Sequence, residues 1–261
     1  MLKILQISDS HILQEPGDTL LGIDTEYYFR QVLKHAYDLH QRFDLILATG
    51  DLAQAPSMEV YQRILQHLTA YRTPTLCLPG NHDDYAQMQT VFQHDLVTCG
   101  KHALLGGWQI LCLNSQKENS PVGNLSPGEI SFLERQLNQQ PHAPTLIALH
   151  HPCFATGCQW LDTMQLINSD SLLALLDQHN QVKAVTCGHI HQEMQVSHGG
   201  FSLYSAPATC FEFQLDSLEF CVDNTPPGYR VFELSPDGGV QSGCYYLNEP
   251  LRGLDQTANG Y

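Results

Sequence analysis

The feature that most restricts the fold of this 261-residue chain is the alternation of short apolar segments with longer amphipathic ones. Short apolar runs between turn residues are typical of buried strands, and apolar residues spaced three and four apart are typical of helices. The predicted strands are 2–8, 43–49, 74–78, 144–149 and 182–187, and the predicted helices are 25–41, 57–70, 84–94, 126–139 and 169–179. Strands interleaved with helices in this way predict an α/β fold with mixed sheets covered by helices.

Local signals define several of these elements. Ser57 is a suitable N-cap for its helix, and Ser126, Pro127 and Glu129 match a capping box with proline in the first turn. The segments 101–105 and 108–114, joined by two glycines, predict a hairpin.

The remainder of the chain is rich in predicted strands, which are 200–205, 229–234 and 240–247. No repeat, low-complexity tract or linker interrupts the sequence. We therefore expect residues 1–261 to form a single domain, with a core in 1–199 and a strand-rich part in 200–261.

The charge and the cysteines restrict partners and compartment. Twelve Lys and Arg against 27 Asp and Glu give a formal charge of −15, which disfavours binding to nucleic acid or anionic membranes. The apolar start of the chain is too short for a signal peptide and no segment is long enough to span a bilayer. Nine cysteines without C-x-x-C spacing favour reduced thiols and a cytoplasmic location.

Polar residues follow five predicted strands directly. They occur in the segments Asp9-Ser10-His11, Gly50-Asp51, Gly80-Asn81-His82-Asp83, His150-His151 and Gly188-His189-Ile190-His191. Because ligand sites of open α/β sheets form at the carboxyl ends of strands, we expect these side chains to meet at one rim.

Seven of these side chains offer nitrogen or oxygen donors: Asp9, His11, Asp51, Asn81, His150, His189 and His191. They are too many for one structural zinc, and two ions about 3.5–4 Å apart with a bridging carboxylate would use them. In an extended backbone, D-x-H and H-x-H would each direct two side chains to one centre. Mixed His and carboxylate ligation suits Fe, Mn, Zn or Co better than Ca or Mg.

Each residue alone has an ordinary structural explanation. Asp9 and Asp51 could cap turns, and Gly-Asn-His-Asp could be a turn sequence. The recurrence of such residues after five strands is what favours a metal site. The other eight histidines lie in predicted helices or polar turns, and we expect them at the surface.

The ordered set D-x-H, G-D, G-N-H-D, H and G-H-x-H resembles the calcineurin-like metallophosphoesterase superfamily over residues 2 to 191. Further segments resemble its bacterial class III 3′,5′-cyclic-AMP phosphodiesterase branch. They are 47–52, 78–84, 105–110, 157–162, 187–193, 206–210 and 226–230.

The resemblance implies a four-layer α/β/β/α sandwich of two mixed sheets flanked by helices. It implies that one metal is held by Asp9, His11 and His191, the other by Asn81, His150 and His189, and that Asp51 bridges them. It also implies His82 as a catalytic residue that is not a ligand, and substrate contacts from His11, Asn81 and His82. His151 would instead line the pocket. Ser10 and Asn114 depart from the usual residues at positions that are not ligands.

The predicted activity is hydrolysis of 3′,5′-cyclic AMP to 5′-AMP by a metal-bridging hydroxide. The alternatives are a phosphodiesterase for glycerophosphodiesters or other nucleotide phosphoesters, and a non-catalytic scaffold that retains the fold. The expected partner is a small cyclic nucleotide, and the strand-rich tail could form a homodimer interface.

Overall fold

Two mixed sheets, each of six strands, form the centre of the computed structural model, which describes residues 1–260. The strands are β1 (Leu2–Ile7), β2 (Leu45–Thr49), β3 (Thr75–Leu78), β4 (Val97–Thr98), β5 (His102–Leu105), β6 (Trp108–Cys112), β7 (Thr145–Ala148), β8 (Val182–Cys187), β9 (Met194–His198), β10 (Phe201–Ser205), β11 (Glu212–Phe213), β12 (Val222–Asp223), β13 (Gly228–Leu234) and β14 (Val240–Tyr246). The helices are α1 (Thr25–His40), α2 (Met58–Thr69), α3 (Tyr85–Val91), α4 (Pro127–Gln139), α5 (Gln159–Asp162) and α6 (Ser169–Leu176).

The first sheet has the order β14-β13-β1-β2-β3-β4, and the second has the order β5-β6-β7-β8-β10-β9. Strands β1 to β4 are parallel, as are β6, β7, β8 and β10, while the outer strands β13, β14, β5 and β9 pair antiparallel. A separate antiparallel pair joins β11 and β12.

Three hydrophobic clusters define four layers. Between the sheets, alternate residues of both pack together, including Ile4, Trp108 and Phe232. The opposite face of the first sheet packs on α1, α2 and α3, and that of the second sheet packs on α4 and α6. The central strands β1, β2, β3, β6, β7 and β8 bury both faces because each sheet is covered on both sides, which explains their continuous apolar runs. The predicted α/β/β/α sandwich is confirmed.

Local predictions agree closely with the observed elements. Ser57 and Ser126 cap α2 and α4 by accepting from Val60 N and Glu129 N. The capping box at α4 is incomplete, because the Glu129 carboxylate accepts from Asn114 N and Lys101 Nζ instead.

The hairpin of β5 and β6 turns at Gly106 and Gly107, which both have positive φ, as a tight hairpin turn requires.

Two helices are shorter than predicted. The predicted helix 84–94 ends at Val91 because His94 and Val97 form a reciprocal backbone turn that leads into β4. The predicted helix 169–179 ends at Leu176, after which the backbone of Gln178 and His179 turns more tightly. The elements β4, β9, β11, β12 and α5 were not predicted.

The remaining predictions concern the cysteines, the other histidines and membrane-spanning helices. All nine cysteines, which lie within the described residues, are free thiols. His94 and His142 are exposed, but His35, His40, His67, His102, His179 and His198 are half-buried, so the surface prediction is only partly right. Among residues 1–260, no helix has the length and apolar character that crossing a bilayer requires.

Candidate metal centre

The polar segments that follow the strands meet where the two sheets adjoin. β1, β2 and β3 of the first sheet supply Asp9 to Asp83, whereas β7 and β8 of the second supply the later histidines. The predicted single rim is therefore shared between two sheets. The buried members of the set are Asp9, His11, Asp51, His150, His151, His189 and His191, while Asn81 and His82 are half-buried.

The donor atoms form one continuous cluster. Four groups of three residues each place their donor atoms within 4.8 Å of one another. These groups are Asp9–His11–His191, Asp9–Asp51–His150, His11–Asp51–His82 and His150–His151–His189. Because neighbouring groups share members, the side chains form a single buried site.

Asp51 lies at the middle of this cluster. Its Oδ2 is 3.2 Å from His150 Nε2 and 3.9 Å from His11 Nε2. Its Oδ1 accepts a hydrogen bond of 2.8 Å from His82 N. One carboxylate oxygen thus faces histidines of two different groups, a position that fits a bridging ligand.

Glycines allow this close approach. A Cβ at Gly80 would lie 2.1 Å from Asp51 Oδ1, and one at Gly50 would lie 2.5 Å from His150 Nδ1. Gly50 also has a φ of +94°, which favours glycine.

Hydrogen bonds outside the cluster orient the histidines. His11 Nδ1 is 2.7 Å from Gln54 Oε1, His150 Nδ1 is 2.8 Å from Thr49 O, and His191 Nδ1 is 2.8 Å from Phe211 O. An Nδ1–H donated to an oxygen leaves the Nε2 lone pair directed into the cluster, which is the usual arrangement around a metal-binding histidine.

The pKa shifts of these side chains also fit a site that binds cations. Burial lowers the pKa of His11 to about 3 and that of His189 well below the usual range, so both are neutral donors near pH 7. Burial opposes ionisation of Asp51, but His150 overrides it and holds the pKa of this carboxyl well below its usual range. Burial likewise opposes charging of His150, yet Asp51 raises its pKa to about 9, so a positive charge, either a proton or a metal ion in its place, is favoured between His150 Nε2 and Asp51.

Within residues 1–260, six buried side-chain atoms have no hydrogen-bond partner, and three of them lie at this site: Asn81 Oδ1, His151 Nε2 and His189 Nε2. Buried polar atoms normally have hydrogen-bond partners. Atoms that lack one and lie beside anionic carboxylates fit the ligands of a metal ion. The chemistry of the donor set and the orientation of the histidines both fit bound metal ions.

The backbone corrects one prediction. Asp9, His11, His189 and His191 have φ values of 55°, 43°, 69° and 46°, so D-x-H and H-x-H are left-handed here and not extended. His189 and His191 consequently reach different groups. Non-glycine residues with positive φ are strained, and such strain concentrates at functional sites.

His150 and His151 differ in their surroundings. His150 shares a group with both Asp9 and Asp51, whereas His151 is grouped with the two histidines His150 and His189. His151 Nδ1 is 2.8 Å from Ser115 Oγ. Of the two histidines, only His150 is thus grouped with carboxylates among the described residues.

Asp83 has a role that the sequence did not reveal. Its buried carboxylate accepts from Leu52 N, Ala53 N and Gly80 N at 3.0–3.1 Å, and from Tyr61 Oη at 3.0 Å. It therefore ties the loop after β2 to the loop after β3. The G-N-H-D motif contained the signal, but a turn sequence accounts for Asp83 equally well.

Asn114 also supports this region. Its Oδ1 accepts from Gln116 N, and Gln116 Nε2 donates to Gly80 O and Asp83 O.

Of the three predicted substrate contacts, Asn81 and His82 line a cavity beside the cluster. His11 is fully buried, with its ring centroid 4.9 Å from that of His82.

Comparisons with known proteins agree with the fold and show the family. Residues 2–193 match the family model described as calcineurin-like phosphoesterase. The chain is 37% identical over 261 residues to the 3′,5′-cyclic adenosine monophosphate phosphodiesterase CpdA of Escherichia coli, covering 100% of this chain and 95% of the relative. It is 38% identical to the Haemophilus influenzae CpdA, covering 93% of this chain and 89% of that one.

Solved structures share the fold at low identity. A dimetal phosphatase from Danio rerio has a TM-score of 0.61 at 14% identity, covering 88% of this chain and 94% of that chain. A purple acid phosphatase from yellow lupin has a TM-score of 0.64 at 12% identity, covering 94% and 51%.

Proposed function

We propose that this chain, which belongs to the calcineurin-like phosphoesterase family, is a metal-dependent phosphodiesterase. Its proposed reaction is the hydrolysis of 3′,5′-cyclic AMP to 5′-AMP. The observation that carries the chemistry is the position of Asp51, whose Oδ2 faces both His11 and His150. The substrate is supported by the identity to two CpdA enzymes over nearly the whole of each chain. These relatives favour the cyclic nucleotide over glycerophosphodiesters.

The proposed ligands divide into two sets. Asp9, His11 and His191 would hold one ion, and Asn81, His150 and His189 would hold the other, with Asp51 shared. The first set is supported by 3.3 Å between His11 Nε2 and His191 Nε2 and 3.4 Å between His191 Nε2 and Asp9 Oδ1. The second is supported by 3.2 Å between His150 Nε2 and His189 Nδ1, and by the unpaired Asn81 Oδ1.

We propose Fe, Mn, Zn or Co as the ions, because mixed imidazole and carboxylate donors suit them. When bound, such ions neutralise phosphate oxygens and lower the pKa of coordinated water. That positive charge matters in a chain of net charge −15, which would otherwise repel the substrate phosphate.

His82 is the proposed catalytic residue. Its backbone N–H donates to Asp51, which fixes the residue beside the cluster, and it lines the adjacent cavity. From there the imidazole can donate a proton to the leaving 3′ oxygen, a contribution of about 10²–10⁴-fold to the rate. Asn81, on the same loop, is the neighbouring substrate contact.

We also propose a cytoplasmic location, which the nine free thiols support because reduced cysteines persist in that compartment. The charge of −15 supports a small-molecule partner over nucleic acid. The homodimer stays a prediction.

Metal-loaded protein incubated with cyclic AMP and analysed by chromatography tests this function. We expect 5′-AMP as the product, loss of turnover with a chelator and its return when metal is restored. Asp51→Ala is expected to lose metal and activity together, and full turnover in that variant would refute the shared ligand. Protein that contains two ions and hydrolyses glycerophosphodiesters but not cyclic AMP would refute the substrate.

A further inference from the structure

A cavity of ≈ 240 Å³ lies beside the metal cluster and has two chemically different parts. Asn81, His82 and His189 form its polar part. The rest is apolar and is formed by three aromatic residues, Trp160, Phe213 and Phe220, together with Pro121, Leu161, Met164 and Gly260. A ligand whose phosphate binds the cluster would therefore place its organic portion against aromatic rings.

The aromatic rings contact one another edge to face. The Trp160 ring centroid is 4.9 Å from that of Phe213 at an interplanar angle of 78°, and 5.4 Å from that of Phe220 at 65°. Phe213 in turn stacks on His191, with centroids 4.2 Å apart and planes 20° apart. The aromatic wall is thus attached directly to a proposed metal ligand.

Hydrogen bonds hold the Trp160 segment in place. The Asp162 carboxylate accepts from Thr156 N at 2.7 Å and from Gly157 N at 3.3 Å, which closes the loop before α5. The Cys158 thiol donates to Ser217 O at 3.2 Å and so joins this loop to the β11–β12 hairpin. A wall fixed before the ligand arrives costs little ordering entropy on binding.

We propose that Trp160 is a base-binding residue whose indole stacks on the purine base of the cyclic nucleotide. This inference rests on the proposed function and adds the recognition of the base to it. Base–aromatic stacking depends on π-faces and tolerates different bases. Apart from the indole N–H, the apolar wall has no side-chain group that hydrogen-bonds, since its other members are Pro121, Leu161, Met164, Phe213, Phe220 and Gly260. Cyclic GMP should therefore be accepted nearly as well as cyclic AMP.

Tryptophan fluorescence provides a test that does not depend on turnover. The chain has two tryptophans, and Trp108 is fully buried between the sheets with its Nε1–H donated to Ser235 O. At concentrations that saturate the metal-loaded protein, AMP should quench the emission and ribose 5-phosphate should not. Trp160→Phe should bind AMP without this quenching. Quenching that persists in Trp160→Phe, or is absent from the wild type at saturation, would overturn the proposal.

Kinetics provide the second test, with ribose 3′,5′-cyclic phosphate as the substrate that lacks a base. Trp160→Ala should raise KM for cyclic AMP by about 5- to 150-fold, the range of base stacking, with kcat little changed. KM for the base-free substrate should change by no more than about twofold, because stacking contributes uniform binding only where a base is present. Leu218→Ala removes an exposed apolar side chain from the same hairpin and should leave both constants unchanged.

An equal rise of KM for both substrates in Trp160→Ala would show a structural role and refute the stacking, while the proposed function would stand. Failure of the wild type to hydrolyse cyclic AMP would refute the proposed function instead, and the fluorescence result would still report whether a base stacks on Trp160.

Discussion

Replacing Asp83 by alanine should destabilise the protein and weaken its metal site together. The Asp83 carboxylate, only 6% exposed, accepts from three backbone N–H groups and the Tyr61 hydroxyl, and so joins the loop after β2 to the loop after β3. Each buried donor left unpaired costs about 1–3 kcal/mol. Water can enter the space of the lost side chain, so we take the lower end for three to four donors and expect a loss of about 3–4 kcal/mol.

Two further variants give an expected order. Tyr61→Phe removes one donor to Asp83 and the acceptor of Asp84 N, and should cost about 1 kcal/mol. Asp83→Asn keeps one acceptor oxygen but turns an amide donor toward backbone donors, so it should lie between Tyr61→Phe and Asp83→Ala.

Urea unfolding of the metal-free proteins gives these free energies of unfolding without the contribution of metal binding. A chelator competition then compares metal affinity, which should fall by about 10–100-fold in Asp83→Ala, as for other residues that orient ligands. The reasoning would be refuted if Asp83→Ala were destabilised by less than Tyr61→Phe, or if it kept wild-type metal affinity.

Three other predictions concern single side chains. His82→Ala should keep its metal content by elemental analysis and lose about 10²–10⁴-fold in kcat on cyclic AMP; loss of metal would contradict its role. Gln54→Ala should weaken metal binding by about 10–100-fold in the same chelator competition, because Gln54 orients His11, and unchanged affinity would argue against that. In timed alkylation of the native protein at pH 8, mass spectrometry should find Cys221 labelled before Cys99. Burial raises the pKa of Cys99 to about 12, so its reactive thiolate becomes abundant only as the pH rises, and equal rates at pH 8 would contradict this.

Much of the fold could be predicted because it is encoded locally. The buried strands are continuous apolar runs, and Ser57 and Ser126 signal helix starts in the sequence itself. β9 was missed because it is an edge strand with alternating exposure and polar residues such as Gln195 and Ser197. The sequence also does not show which strands belong to which sheet, because the buried strands of both sheets have the same continuous apolar pattern.

The sequence indicates which polar residues follow strands and are candidates for the site, but it does not indicate how their side chains are oriented. The donors follow strands, so parallel-sheet geometry brings those of each sheet to one edge, but the meeting of the two edges depends on how the sheets pack. Their orientation depends on contacts between distant positions, such as His150 with Thr49, which are 101 residues apart. The left-handed backbone at His189 likewise results from the surrounding structure, since Asp9 accepts from His189 N. A single sequence carries no local pattern for such contacts.

The sharing of Asp51 between two ions is the central claim, and anomalous diffraction from crystals grown with Mn²⁺ tests it most directly. We predict two anomalous peaks per chain, one beside His11 and His191, the other beside His150 and His189, with Asp51 bound to both. A single peak, or two peaks of which only one contacts Asp51, would contradict it.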